Sequence, residues 1–320
     1  MSTTLIMGGT GFIGIEATKA LVERGDRVYG LARSAESSRK LRELGAIPIQ
    51  GDVYEPQKWL GSMPRVDYVI NALGFFTDGK PARLSLSFAA KCHEKYTSWA
   101  NVLLQVVRHH NVRAAVHVTG TAIFEESPLE WITEQTPLCD TLSGFNRIAW
   151  SAARLMIDAI AGGLPIVVAV APNVVYGPLP NSSFQKIFVD PLRSNMIGIV
   201  GNGKNYVPTG HARDVGRAIA FLTDGRYAKE FFLIAGDDAV TQKEMLYAIA
   251  RAMGKQYVMQ LPKSLVSILG GKAASEFMSL SQRVDNSKLK KAGFVMHYPR
   301  FTEAIGPVME ELRRSRALVA

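Results

Sequence analysis

The 320-residue chain has two cysteines only, Cys92 and Cys139. That number excludes a disulfide framework, and their isolation excludes zinc-type ligand spacing. Two buried, inert thiols in a reducing, cytoplasmic-type compartment are therefore expected, with no metal site. Long hydrophobic runs are missing too. No stretch reaches the ~18 uninterrupted apolar residues of a membrane span, and Leu261 to Gly271 is short and carries Pro262 and Lys263. No signal peptide is expected, because the chain begins as a strand. Internal repeats and low-complexity tracts are absent. The basic residues are scattered, with no aromatic-interleaved stripe to stack bases, so nucleic acid is disfavoured as a partner.

Positive charge is in excess: 37 Lys+Arg against 28 Asp+Glu, a formal +9. This favours anionic small molecules, nucleotide phosphates among them. With 47% hydrophobic and 20% charged residues, the composition is that of a globular chain and excludes collagenous, coiled-coil and wholly disordered classes. The length is about twice the ~150-residue prior for one domain, so one large unit or two fused ones are expected.

Through the first half, apolar β-branched runs alternate with segments of helical period. Strands are predicted at Thr3–Met7, Arg27–Ala32, Ile47–Gln50, Asp67–Ala72, Ala114–Thr119 and Pro165–Val170, and helices at Phe12–Glu23, Ser37–Leu44, Leu84–His110 and Gly144–Ala161. That order calls for an α/β, Rossmann-type doubly wound parallel sheet with helices on both faces. After Pro172 the alternation weakens, and turn signals appear at residues 176–181 and 201–203. A smaller C-terminal substrate-binding lobe is expected there. The division is residues 1–172, with a return segment near 212–236, for the dinucleotide domain, and 173–211 with 237–320 for the lobe. Asp214–Thr223 (helix) and Glu230–Ala235 (strand) link back to the sheet, and Gln242–Met253 and Arg300–Arg313 are further helices.

The first strand runs into Gly8-Gly9-Thr10-Gly11-Phe12-Ile13-Gly14 and then into a helix. Gly8 permits a tight turn, Gly11 lets backbone N–H groups reach a pyrophosphate, and Gly14 permits close packing, while the helix N-terminus offers unpaired amides. Residues Gly8, Thr10, Gly11, Phe12, Ile13 and Gly14 are thus a dinucleotide cradle. At the end of the second strand, where a carboxylate would hold the ribose of NAD, the chain has Arg33. A guanidinium there pairs with a 2′-phosphate, so NADP(H) is preferred over NAD. Asp52, beside Val53, either accepts from the adenine amino group or caps the turn that follows.

These residues resemble the extended short-chain dehydrogenases, the NAD(P)-dependent epimerase/dehydratase group. The resemblance also rests on Gly51-Asp52-Val53, Asn71-Ala72-Leu73-Gly74, Pro172-Asn173-Val174-Val175-Tyr176-Gly177-Pro178, His211-Ala212-Arg213-Asp214-Val215, and Val284-Asp285-Asn286-Ser287-Lys288 followed by Ala292-Gly293-Phe294. It implies a nicotinamide packed near Pro172 to Val174, with Ala72, Leu73, Gly74 and Thr119 among the cofactor contacts. Two long helices, Leu84–His110 and Gly144–Ala161, resemble the pair through which this family forms homodimers.

In the catalytic part the chain departs from the family, which uses a Ser/Thr after the fifth strand and a Tyr-x-x-x-Lys pair on the next helix. Thr121 aligns with the hydroxyl residue, whereas Phe145 and Ala149 occupy the Tyr and Lys positions. Phe has no exchangeable proton and Ala no charge. Candidate substrate-cleft residues are Phe75, Phe76, Lys80, Phe124, Tyr176 and Tyr206, with Asp78, Arg83, Glu125, Glu126, Lys204 and His211 as further polar groups whose roles stay open. His109-His110 ends a helix, where imidazoles suit the macrodipole. The favoured reading is an NADP(H)-dependent oxidoreductase acting on a hydrophobic small molecule without the usual acid–base pair. The alternatives are a non-catalytic nucleotide-binding sensor, assembly or RNA-associated protein, and a cofactor-retaining epimerase or dehydratase.

Overall fold

Each parallel strand of the central sheet is a short apolar run that delivers its C-terminal end to the same edge, which is why that edge collects the loops that bind ligands. The computed structural model describes residues 1–74, 85–139 and 144–317. In chain order the first half contains β1 (Thr3–Met7), α1 (Phe12–Glu23), β2 (Arg27–Ala32), α2 (Ala35–Glu43), β3 (Ile47–Gln50), β4 (Tyr68–Asn71), α3 (Leu86–His110), β5 (Ala114–Gly120), β6 (Ser127–Ile132), α4 (Arg147–Ala161) and β7 (Ile166–Ala171). Then follow β8 (Val174–Tyr176), α5 (Asp190–Arg193), β9 (Ile199–Val200), β10 (Tyr206–Val207), β11 (Thr209–His211), α6 (Ala212–Phe221), β12 (Phe231–Leu233), β13 (Val240–Thr241), α7 (Gln242–Ala252), β14 (Gln260–Leu261), α8 (Lys263–Gly270), α9 (Lys272–Ser279), β15 (Gln282–Val284), α10 (Ser287–Lys291) and α11 (Phe301–Ala317).

Seven strands form the sheet in the order β12-β7-β5-β4-β1-β2-β3, all pairs parallel. Strand β1 sits between β4 and β2, so the strand order reverses there. Met7 stands opposite both Asn71 of β4 and Leu31 of β2. The crevice at this reversal is where an open α/β sheet receives its ligand.

Two apolar clusters cover the two faces. One joins Leu5, Met7 and Val69 to Leu103 and Val107 of α3 and Ala152 and Met156 of α4. The other joins Ile6, Val116 and Val167 to Leu21 of α1 and Ile219 of α6. A third cluster lies beyond the sheet, built from Tyr176, Phe184, Phe188, Leu246, Ile249, Phe301 and Met309, with Phe12 of α1 packed against it. The glycine turn thereby touches the C-terminal part of the chain directly.

Several helices start where side chains satisfy orphan N–H groups. Ser34 and Ser37 make a capping box on α2, and Thr241 and Glu244 one on α7. Helix α4 departs from expectation. It begins at Arg147, not Gly144, leaving Phe145 and Asn146 in the turn before it. Asn146, the residue before the helix, makes no side-chain cap hydrogen bond to it. The pairing of β6 with β15, across some 150 residues, was not legible in short-range pattern. No helix among the described residues is long and apolar enough to cross a membrane.

Candidate cofactor and active site

The glycine turn is closed by contacts that leave no room for side chains. Gly8 has φ +86°, which favours glycine, and a Cβ there would lie 2.7 Å from the Ala72 carbonyl oxygen at the end of β4. A Cβ on Gly14 would lie 1.9 Å from the Gly8 carbonyl oxygen. Gly14 therefore lets the turn close on itself, where packing against the sheet had been expected. Gly11 N–H donates to Gly8 O at 3.0 Å, and Thr18 pins the turn from within, its hydroxyl donating to Gly14 O at 2.8 Å and reaching Gly9 O at 3.2 Å. Helix α1 has no side-chain cap and no acidic residue in its first turn. Its N-terminal amides and partial positive charge thus face the crevice uncompensated, beside half-buried Thr10, Gly11, Phe12 and Ile13. This cradle fits a pyrophosphate.

On the β2–β3 side, Arg33 is exposed at the end of β2, next to the Ser34 cap. Asp52 acts as a turn cap: its Oδ1 accepts from Tyr54 N–H at 2.9 Å, while its carbonyl accepts from Trp59 Nε1 at 2.8 Å. Val53 is packed in the core.

At the end of β4, Asn71 organises the segment from Ala72 to Gly74. Its Oδ1 accepts from Leu73 N–H at 3.3 Å, which directs its amide NH₂ toward Nδ1 of His117, 3.3 Å away on β5. His117 is wholly enclosed, and desolvation lowers its pKa to about 4. The neutral ring accepts at Nδ1, so the proton resides on Nε2, which has no partner among the described residues. Asn71 was legible only as the first residue of a family motif and His117 not at all, since a polar residue inside an apolar run carries no local signal.

His117 gives a pH prediction. Its folded-state pKa lies below the unfolded value near 6.5, so the folded state binds fewer protons and stability falls as pH drops from about 6.5 toward 4. The loss reaches roughly 3 kcal/mol by pH 4 from this residue alone. Proton NMR should find the His117 imidazole still neutral at pH 5, together with that of His211, whose burial lowers its pKa to about 3; ordinary titration of every histidine near pH 6.5 would contradict the assignment.

Beyond β5 the chain turns through Thr121, Ala122 and Ile123. This turn is latched by Gln282 of β15, a residue sequence reading missed. Gln282 Nε2 donates to the carbonyls of Thr121 (3.0 Å), Phe124 (3.1 Å) and Glu125 (3.3 Å), and its Oε1 accepts from Asn173 Nδ2 at 3.1 Å. Pro172 is buried against Gly210, and Val174 belongs to the third cluster, its backbone N–H donating to the Pro208 carbonyl at 3.1 Å.

Three expectations need correction. Thr121 has 0% exposure, and its hydroxyl, like that of Thr119, has no hydrogen-bond partner among the described residues; in this conformation it has no surface with which to meet a substrate. Phe124, expected in the cleft, is core. Tyr176 is also core, ringed by Phe184, His211 and Phe301, and burial holds its phenol well above the ordinary range. Tyr206 stands in the short β10–β13 pair with the Arg283 guanidinium 5.2 Å from its ring centre, so it contributes to that side-chain stack. His211 caps α6, its Nδ1 accepting from Arg213 N–H at 3.2 Å, and stacks on Tyr298. Phe75, Phe76, Asp78, Lys80 and Arg83 lie outside the described residues.

Phe145 and Ala149 are both buried. Phe145 packs in an apolar cluster with Ala89, Cys92, Ala122 and Ile148, its ring centre 4.8 Å from that of Phe277. The backbone N–H of Phe145 is held by Glu276 Oε2 at 3.0 Å. Carbon therefore fills the positions where the resemblance implies a phenol and an ammonium.

Comparison with known proteins gives a consistent frame. The profile described as NAD dependent epimerase/dehydratase family matches residues 4–235. The chain is 27% identical over 236 residues to the 4-hydroxy-2-methyl-3-oxo-4-farnesyl-3,4-dihydroquinoline-1-oxide ketoreductase of Stigmatella aurantiaca, covering 69% of this chain and 68% of that protein. It is 23% identical over 258 residues to the 2-alkyl-3-oxoalkanoate reductase of Stenotrophomonas maltophilia, covering 78% and 75%. The crystal structure of human epimerase family protein SDR39U1 (isoform2) with NADPH matches with a TM-score of 0.74 at 22% identity, covering 96% of this chain and 99% of that one. That last likeness is one of fold.

Proposed function

The chain belongs to the NAD dependent epimerase/dehydratase family, and from that premise we propose that it is an NADP(H)-dependent reductase of hydrophobic ketones. The observation that carries the cofactor half is the glycine cradle, in which added Cβ atoms at Gly8 and Gly14 would meet backbone at 2.7 and 1.9 Å. Gly8, Thr10, Gly11, Phe12, Ile13 and Gly14 hold the pyrophosphate, Arg33 the 2′-phosphate, Asp52 and Val53 border the adenine, and Ala72 to Gly74, Thr119, Pro172 and Val174 border the nicotinamide. When bound, the reduced nicotinamide supplies a hydride. The protein's own part is to orient the ketone against it and to exclude water.

Support for the substrate class comes from the apolar replacements at Phe145 and Ala149 and from the 3-oxo compounds in the names of two relatives. Substrates with an alkyl or prenyl arm match a site walled with carbon. Following NADPH absorbance with 2-alkyl-3-oxo esters of increasing chain length tests this reading. Oxidation that grows faster with chain length supports it; no oxidation with any member of a broad carbonyl, enone and imine panel contradicts it.

A further inference from the structure

Reduction of a ketone needs a proton as well as a hydride. Phe145 and Ala149 have none to give, and Thr121 is sealed. A phenol stands beside the end of β4 instead. Tyr96, half-buried in the middle of α3, packs against both the main core and the Phe145 cluster. Its ring sits 5.3 Å from that of Trp99, tilted by 44°. Its hydroxyl lies 3.9 Å from the point a Cβ on Gly74 would occupy, and among the described residues beyond Gly74's chain neighbours nothing else comes within 4 Å of that point.

The position matters because Gly74 ends the turn after β4. A dinucleotide with its pyrophosphate on the β1–α1 turn and its adenosine toward β2 and β3 extends its nicotinamide half over β4, β5 and β7. The cluster that holds Tyr96 also contains Ala122, in the turn after β5. The Tyr96 hydroxyl therefore sits by the turn that ends β4, while its ring packs on the cluster that takes in the turn after β5. We propose that Tyr96 is the proton donor of this enzyme: the phenol comes from α3, into the same apolar cluster where Phe145 fills the usual position beside α4.

This inference rests on the reductase reading. The carbonyl carbon gains a hydride, with its two electrons, from the reduced nicotinamide of NADPH. The C=O π pair moves to oxygen, which takes the proton from the Tyr96 O–H. The products are the alcohol, NADP⁺ and a phenolate, which regains its proton from water. A neutral phenol transferring a proton in an apolar setting is aided by the positive nicotinamide that forms beside it.

Tyr96→Phe preserves the ring and its packing, so the variant should fold. The test is a phenolate absorbance titration of wild type and variant, with and without saturating NADP⁺, alongside calorimetric NADP⁺ binding. Expected is equal NADP⁺ affinity in both proteins, with one phenol of the wild type ionising about 1–3 pH units lower once the cation is bound, a change absent in the variant. With NADPH and a ketone that the wild type reduces, kcat should fall by about 10²–10⁴ while KM stays nearly unchanged. If NADP⁺ binds but moves no phenol, or moves the same phenol in Tyr96→Phe, the proton-donor role is overturned and the reductase reading stands. If NADP⁺ does not bind the wild type, both fall together.

Discussion

Gly14→Ala should abolish measurable NADPH binding and lower stability by about 2–3 kcal/mol, the upper range for forcing atoms into a packed interior. The added methyl would lie 1.9 Å from Gly8 O, 2.8 Å from the Gly8 carbonyl carbon and 3.0 Å from Gly9 Cα. All three are backbone atoms, so no side chain can swing away to make room. Relief requires the turn to open, and opening it moves the amides that would face the phosphates. Gly61→Ala is the control, since a Cβ there meets nothing within 4 Å. Thermal melts and calorimetric titration of the two variants check the contrast; normal NADPH affinity in Gly14→Ala would mean that the turn is not the phosphate site.

Gln282→Leu carries the second large effect. It would strip a donor from three carbonyls and an acceptor from Asn173 Nδ2 in a place where Gln282 is 1% exposed and water has little access. Each buried polar group left unpaired costs about 1–3 kcal/mol. With partial relaxation the sum should be about 3–5 kcal/mol, or roughly 10 °C of melting temperature for a chain of this size. Gln282→Glu should not rescue it, because a carboxylate keeps the acceptor for Asn173 but presents negative charge to the three carbonyl oxygens. A loss below about 1 kcal/mol in Gln282→Leu would mean that the turn after β5 holds its shape without the latch.

Much of the fold was readable because its signals are local. Helix α1 and strands β1, β2 and β3 begin and end where hydrophobic period and turn residues put them. The glycine turn was readable for the same reason: its meaning lies in three positions within seven residues. What escaped depends on distant partners. Gln282 meets Thr121 across 161 residues, and β15 finds β6 across a similar span. Asn71 and His117 are joined across 46 residues inside adjacent apolar strands. Tyr176 was misplaced because its motif says that a tyrosine stands beyond β7, not which way the ring turns; only packing against Phe184 and Phe301 settles that. Tyr96 reads in sequence as one residue of a long helix, and acquires meaning only when α3 brings it over Gly74.

The central claim is that the Gly8–Gly14 turn and Arg33 together bind NADPH. The most direct measurement is calorimetric titration of wild type and Arg33→Ala with NADPH and with NADH. The account predicts that the wild type prefers NADPH by about tenfold or more, as one or two charge-assisted hydrogen bonds to the 2′-phosphate would give. In Arg33→Ala that preference should vanish while NADH binding is unchanged. Equal affinity for both cofactors in the wild type, or an NADPH preference that survives the substitution, would contradict it.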